Sequence, residues 1–391
     1  PPPPMLQRPA GSLTGTIREI HGLISEAWHP VFRLYGTDAP PRFSHFQHRY
    51  HAYIPKGLLL PTEPITVEDL RETLRRANPG TAVGACGWRV HELRNLPFEF
   101  LQQLCDIFNA IEAGGDWPQA LQTGIISMIP KEESGLRADD LRPISVMSVV
   151  YRLWAATKVR SIIAWQESWA TDAISGFRLD LGCEDVFWRL SLDVEEALMD
   201  VSGLCGVSVD FRKAFDRVPW DHVFSLGTAA GLPDTIIGPL CRMYNGLTRH
   251  FRVGGMLCAG FKSTNGTLQG CPVSVVLLNL LMQVWANAVQ HECPGATPRC
   301  YADDAQASAK DPKTIEQVLK LTLEFCTLTG MGMNFKKTHL WATEKDLRAL
   351  LRGIRVEGKA LRVINTSKSL GAQMSFDRRW HACPDTQARL Q

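Results

Sequence analysis

The chain has 391 residues, 45% of them hydrophobic and 21% charged, with a formal net charge of +2. That length and apolar share suit a globular protein of about two to three domains with a sizeable core, and so small a net charge does not by itself announce a nucleic-acid binder. Its eleven cysteines include no Cys-x-x-Cys pair, which argues against a zinc site or a secreted disulfide scaffold and for an intracellular, reducing compartment, nuclear or cytoplasmic.

The chain opens on Pro1-Pro2-Pro3-Pro4 with no starting Met and no signal peptide, so we read it as an excised piece beginning in a proline-rich linker. Thr14 to Trp28 predicts a helix whose inner stripe is Ile17, Ile20, Leu23, Ile24 and Trp28. His29 to Thr62, rich in Pro, His and aromatics, predicts a loop-rich connector. Thr66 and Asp69 predict a capped helix start that runs to Asn78-Pro79-Gly80. Phe98 to Ile111 predicts an amphipathic helix with Leu101, Leu104, Cys105, Phe108 and Ile111 inward. The apolar run Thr123 to Pro130 predicts a strand that delivers Lys131. Leu141-Arg142-Pro143-Ile144-Ser145 follows, leading into a helix from about Ser145 to Trp165.

Glu184 to Met199 predicts a further helix, with Val186, Trp188 and Leu190 among its apolar residues. Gly206 to Asp210 reads as a short apolar strand ending in a carboxylate. Val273 to Val289 is the most apolar window, but Ser274, Asn279, Gln283 and Asn287 interrupt it; it predicts a buried helix, not a membrane span. Pro312 to Leu328 predicts an amphipathic helix with Ile315, Val318, Leu319, Phe325 and Cys326 inward. Ile354 to Val356 and Leu361 to Ile364 alternate around Glu357-Gly358-Lys359, the pattern of a hairpin. From Lys336 to Lys368 nine basic residues face three acidic ones, a local balance of +6. Such a run is either a solvated face or a surface that tracks phosphates.

Chemistry concentrates in Tyr301-Ala302-Asp303-Asp304. Neighbouring side chains on a strand point to opposite faces, so both carboxylates reach one place only where the chain turns. A tight turn after Tyr301 puts them at a hairpin tip, a setting that suits a hard divalent cation. The same tripeptide recurs at Ala138-Asp139-Asp140 in what reads as an ordinary loop, so Ala-Asp-Asp alone is a weak signal.

Its company strengthens it. Asp210-Phe211-Arg212-Lys213-Ala214-Phe215-Asp216, then Gln269-Gly270-Cys271-Pro272-Val273-Ser274, then Tyr301-Ala302-Asp303-Asp304, occur in one order. Together they resemble the reverse transcriptases, in particular those of LINE-type retrotransposons without long terminal repeats. Ile129-Pro130-Lys131, Arg142-Pro143-Ile144-Ser145 and Asn334-Phe335-Lys336-Lys337-Thr338 also resemble that family. So do Ser175-Gly176-Phe177-Arg178, with Ile174 where Gln is usual, and Ser369-Leu370-Gly371. The resemblance covers about Gly84 to Met374.

The resemblance implies an α+β right-hand polymerase fold with helical fingers and a ferredoxin-like antiparallel palm sheet, the thumb missing or truncated. The blocks it suggests are an N-terminal extension and connector (1–65), fingers with template-facing elements (66–200), a palm (201–375) and the start of a thumb or a truncated tail (376–391). The reverse transcriptase domain overall would span about 110–375. It also implies an RNA-directed DNA polymerase that adds deoxynucleotides to a primer 3′-hydroxyl with two Mg2+ ions, Mn2+ as a substitute. Asp210, Asp303, Asp304 and the Phe211 carbonyl would bind metal. Lys131, Arg142, Phe215, Gln269 and Gly270 would meet the nucleotide, with Phe215 as the gate against a 2′-hydroxyl. Lys337 would protonate pyrophosphate. Gly176, Phe177, Arg178, Leu370 and Gly371 would lie along template or primer.

Asp216 reads as structural, since the mechanism needs no fourth carboxylate. RNA template, DNA primer and deoxynucleoside triphosphates would be the partners, with no membrane; the sequence leaves the oligomeric state open. Two other readings are a non-catalytic reverse-transcriptase-like RNA-binding scaffold and a group II intron maturase-type enzyme. Such scaffolds usually lose a metal carboxylate, and here all three are present.

Overall fold

The computed structural model describes residues 5–131, 136–369 and 372–377. The protein is a mixed α+β chain of two compact units that interleave along the sequence. One comprises the chain up to Pro40 with Gly57–Trp165 and Phe215–Ser274; the other comprises Pro41–Lys56, Gln166–Ala214 and the chain from Val275 onward. These units cut across the consecutive blocks drawn from sequence, because each returns to its own core after an excursion into the other.

In the first unit, helix Ile17–Phe32 buries Ile20, Ile24, Trp28 and Phe32, an i, i+4, i+8, i+12 stripe. It packs on Ile126, Met128, Leu141, Phe251 and Val253. Those residues come from a four-stranded sheet ordered Leu141–Val146, Thr123–Pro130, Thr248–Val253, Met256–Leu257. Thr66 and Asp69 form the capping box expected at the start of helix Val67–Arg76. Helix Phe98–Glu112 carries Glu112, which pairs with Lys158 at 2.7 Å and accepts from Trp154 Nε1 at 2.9 Å, all three buried. The helix expected from Ser145 begins later, at Val149. The residues before it are drawn into the strand by pairing with Ile125 to Pro130.

In the second unit, five strands lie in the order Arg362–Ile364, His339–Ala342, Cys205–Asp210, Asp304–Ala309, Thr297–Tyr301. The first pair is parallel and the rest are antiparallel. Leaving out Arg362–Ile364, the strands with helices Pro272–Glu292 and Pro312–Thr329 run β–α–β–β–α–β, with spatial order 4-1-3-2. That is the ferredoxin-like split βαβ arrangement.

The central strand Cys205–Asp210 is buried at Cys205, Gly206, Val207 and Val209. Gly206 is required there, because any Cβ would run into the Trp341 ring, which stacks on Phe376 with centroids 4.4 Å apart. Helix Pro272–Glu292 is long and apolar enough to cross a membrane by composition, yet it is mostly buried within the protein. Its interruptions Ser274, Asn279 and Gln283 are buried with polar partners.

Two expectations are corrected. The 29–62 connector holds the end of the first helix and a second helix, Phe43–Tyr50. Its Phe46 and Tyr50 pack edge-on against Phe325, and Arg49 pairs with Glu292 at 2.7 Å and Glu324 at 2.9 Å. The hairpin near Gly358 pairs Arg355–Val356 with Lys359–Ala360. Its second arm does not extend to Ile364, because Arg362–Ile364 pairs in parallel with His339–Trp341. Trp188 on helix Cys183–Met199 is 60% exposed, while Val186 and Leu190 on the opposite stripe are buried. Leu370, Gly371 and residues 378–391 lie outside the described residues.

Candidate active site

Thr297–Tyr301 and Asp304–Ala309 form a hairpin in which Tyr301 pairs with Asp304 across the two-residue loop Ala302-Asp303. Ala302 takes φ +52°, the left-handed backbone that primed hairpin turns require. On the other side of Asp304 its register partner is Asp210, the last residue of the central strand. Residues 94 positions apart thus end side by side, with Asp303 at the adjoining tip. Asp210 and Asp303 are half-buried and Asp304 is exposed. Beneath the turn, burial pushes the Cys300 thiol up, with the Asp304 charge adding to it, so this cysteine stays a neutral packing group.

The chain leaving Asp210 is fastened to the loop carrying the lysines. Asp210 N–H donates to Thr338 Oγ1 at 3.2 Å, its carbonyl accepts from Asn334 N–H at 2.8 Å, and Arg212 N–H donates to Gly332 O at 2.6 Å. These bonds flank an antiparallel bridge between Phe211 and Met333. Phe211 is therefore a non-hydrogen-bonded pair member, and its own N–H and C=O are turned away from Met333, toward the side on which the Asp304 strand lies. Within the loop, Lys337 N–H donates to Asn334 O at 3.1 Å and the Lys337 side chain is exposed. His339 Nδ1 meets the Lys337 carbonyl at 2.9 Å. Burial lowers the His339 pKa, against the pull of that carbonyl, so its neutral ring fixes the end of the loop.

Carboxylates and a carbonyl are the donors of a hard divalent cation. Among the described residues no three His, Cys, Asp or Glu side chains form a ready-made cage.

Ala173–Gly176 runs along the hairpin's outer strand: Cys300 N–H donates to Ala173 O at 2.6 Å and Ser175 N–H to Cys300 O at 2.9 Å. Gly176 is pressed against the turn, where a Cβ would lie 2.6 Å from Ala302 N. Its carbonyl accepts from the buried Asn279 Nδ2 at 2.6 Å. Phe177, φ +56° and half-exposed, sits 5.9 Å ring to ring from Tyr301. Arg178 is held by the protein. Its Nε and Nη2 hold Glu167, and Nη1 donates to the Thr171 and Ile174 carbonyls. The guanidinium is thus held by acceptors of the protein itself.

In the first unit the expected nucleotide residues are laced together. Phe215, half-buried, has its carbonyl bound by Thr267 N–H at 2.6 Å. Gln269 O accepts from Ser145 N–H at 2.8 Å, and Gln269 Nε2 donates to Asp216 Oδ2 at 2.7 Å. Gly270 has φ +111°, and a Cβ there would lie 2.9 Å from Ser145 O, so the close approach demands glycine. Arg142 is exposed on strand Leu141–Val146, on the face of Ile144. Lys131 is exposed too, its N–H bound to Asp140 O at 3.2 Å. The decoy Asp139 lies in a 3-10 turn beside Arg137, at 3.0 Å.

The sequence marks Asn334 and Thr338 only as the ends of a lysine motif and Asn279 only as a polar break in an apolar helix; their holding of the Asp210 chain and of Gly176 appears in the structure alone.

Among known proteins, the chain is 26% identical over 282 residues to the Pol polyprotein of the type-2 retrotransposable element R2DM of Drosophila melanogaster, 70% of this chain and 26% of that one. It is 32% identical over 171 residues to the RNA-directed DNA polymerase of the mobile element jockey of Drosophila funebris, 42% of this chain and 18% of that one. It is 29% identical over 188 residues to the Pol polyprotein of the type-1 element R2 of Popillia japonica, 43% and 30%. The chain thus spans less than a third of the length of these relatives. The model of the family described as reverse transcriptase (RNA-dependent DNA polymerase) matches residues 129–360. With more than half its length matched by that model, the chain belongs to the reverse transcriptases, and the relatives it resembles come from retrotransposable elements.

Proposed function

We propose that this chain is the RNA-directed DNA polymerase of a LINE-type retroelement, extending a DNA primer on an RNA template with deoxynucleoside triphosphates in an intracellular, reducing compartment. The observation that carries the reading is the register that sets Asp210 opposite Asp304, with Asp303 at the turn beside them. The split βαβ sheet around it supports the name palm for 201–375, with the helical part of 66–200 as fingers.

Two divalent ions, Mg2+ with Mn2+ as a substitute, would make the 3′-hydroxyl nucleophilic and stabilise the leaving pyrophosphate. Asp210, Asp303 and the Phe211 carbonyl would hold them, with Asp304 on the primer side. Lys131 and Arg142 supply charge-assisted contacts to the triphosphate. Gln269 and Gly270 line the nucleotide's place, and the Phe215 ring excludes a 2′-hydroxyl by contact alone. Lys337, free to swing, carries the proton for pyrophosphate. Phe177 offers an exposed ring for a template base to stack on.

The test is primer extension on an RNA template with deoxynucleotides. Extension that stops on chelation and returns with Mg2+ or Mn2+ is expected. RNA binding without extension would instead identify a scaffold.

A further inference from the structure

Asp216 is 3% exposed and stands outside the carboxylate set at the hairpin. Its surroundings are unusually fixed. Asn265 Nδ2 donates to the Asp216 carbonyl at 2.6 Å. Gly266, φ +85°, passes so close that a Cβ would lie 2.7 Å from that same oxygen. Gly266 N–H donates to Val218 O at 2.9 Å and Thr267 N–H to Phe215 O at 2.6 Å. Residues 215–218 and 265–269 are thereby laced into one piece. The Asp216 side chain then meets Gln269 Nε2 at 2.7 Å.

An ionised carboxylate only accepts hydrogen bonds, so the Gln269 amide must give it the NH2 end. The amide oxygen, which accepts no bond among the described residues, is left facing outward. The buried Arg249 guanidinium and Asp216 attract one another. Arg249 is 2% exposed, its Nε and Nη2 have no hydrogen-bond partner, and its guanidinium lies 5.2 Å from the Phe32 ring centre. Burial works against its charge, while Tyr244 and Asp216 work for it. A buried guanidinium needs a counter-charge nearby.

We propose that Asp216 is a positioning residue for nucleotide selection: it locks the Gln269 amide so that its carbonyl oxygen is presented as an acceptor to a hydrogen-bond-donating group of the incoming deoxynucleotide. This rests on the polymerase reading above. Asp216 touches no substrate itself and acts through Gln269.

The test is steady-state primer extension with wild type, Asp216→Asn, Gln269→Ala and the double variant, with melting temperatures alongside. Losing a hydrogen bond to a charged group is worth about tenfold or more, so each single variant raises the deoxynucleotide KM by about that factor, more than it lowers kcat. The double variant is no worse than Gln269→Ala. A merely structural Asp216 gives effects that multiply in the double variant, and that result overturns the proposal. Asp216→Asn also removes the charge near Arg249, so Gln269→Glu is the second variant and leaves that pair intact. It sets two carboxylates face to face, and its KM defect relative to wild type is expected to shrink from about pH 8 to about pH 6, as the two share a proton. A defect that does not change with pH overturns the proposal. Wild type that binds template and primer but never extends overturns the polymerase reading, and this inference with it.

Discussion

Phe215 lies five residues beyond Asp210, half-buried, its backbone tied to Thr267. As a gate against the 2′-hydroxyl, Phe215→Val raises the ribonucleotide kcat/KM relative to the deoxynucleotide value. As a core residue, its truncation to Ala costs about 3–5 kcal/mol and lowers both activities together. The ratio of the two kcat/KM values, read beside the melting temperature, separates the cases. Gly176 gives a second single-residue test. Gly176→Ala places a methyl 2.6 Å from the backbone nitrogen of Ala302, so the carboxylate turn must shift. Displacements of about 1 Å can cost roughly a hundredfold in rate, so extension should fall steeply while the melting temperature falls little. Gly22→Ala, on a helix with nothing within 4 Å of the new methyl, should be neutral or slightly stabilising. Equal activities for the two variants would free the turn from Gly176. Much at this scale was legible in advance. The three carboxylates announce themselves through an apolar lead and a forced turn. Arg178 does not, because its partner Glu167 is eleven positions away and nothing local marks the pair. Asp216 likewise reads as spare until Gln269 is seen against it.

At the scale of elements, helix Phe43–Tyr50 is the main surprise. Its composition hides it: His and Arg fill its outer face, and only Phe46 and Tyr50 turn inward. It is stabilised by tertiary packing on Phe325 rather than by helix propensity. Tyr50→Ala should therefore destabilise the protein by about 3 kcal/mol or more in a denaturant melt, whereas a connector would give less than about 0.5 kcal/mol. The ion pairs of Arg49 with Glu292 and Glu324 are roughly one-third exposed and contribute less, about 1 kcal/mol or below. Lys158 and Glu112 differ, being both under a tenth exposed. Lys158→Met strands a buried carboxylate and should cost about 3–5 kcal/mol. Strands and helices with strong periodicity, such as Thr123–Pro130 and Pro312–Thr329, were readable from sequence to within a residue. The parallel pairing of Arg362–Ile364 was not, since a two-residue turn at Glu357-Gly358 looks the same whichever way the chain goes afterwards.

For the whole molecule, a net charge of +2 conceals a strongly basic stretch from Lys336 to Lys368. Lys336, Lys337, Lys359 and Arg362 are exposed, and Lys359 Nζ sits 4.7 Å over the Phe335 ring, which joins the hairpin to the lysine loop. If this face tracks a phosphate backbone, replacing Lys336, Lys359 and Arg362 with Gln should flatten the slope of log affinity against log salt by about 0.7–0.9 for each phosphate no longer neutralised. An unchanged slope would return the stretch to a solvated surface. The interleaving of the two units was beyond sequence reading, because the returns at Phe215 and Val275 fall at Ala214-Phe215 and inside one continuous helix, with no linker composition to mark either. One comparison bears on the polymerase reading more directly than any other: primer extension on an RNA template by Asp303→Asn and by Asp139→Asn. The two replace the same residue of the same tripeptide, one at the hairpin tip and one in a turn beside Arg137. Asp303→Asn should abolish extension and leave the fold and RNA binding intact, while Asp139→Asn extends as wild type does; equal loss in both, or activity surviving in Asp303→Asn, would contradict it.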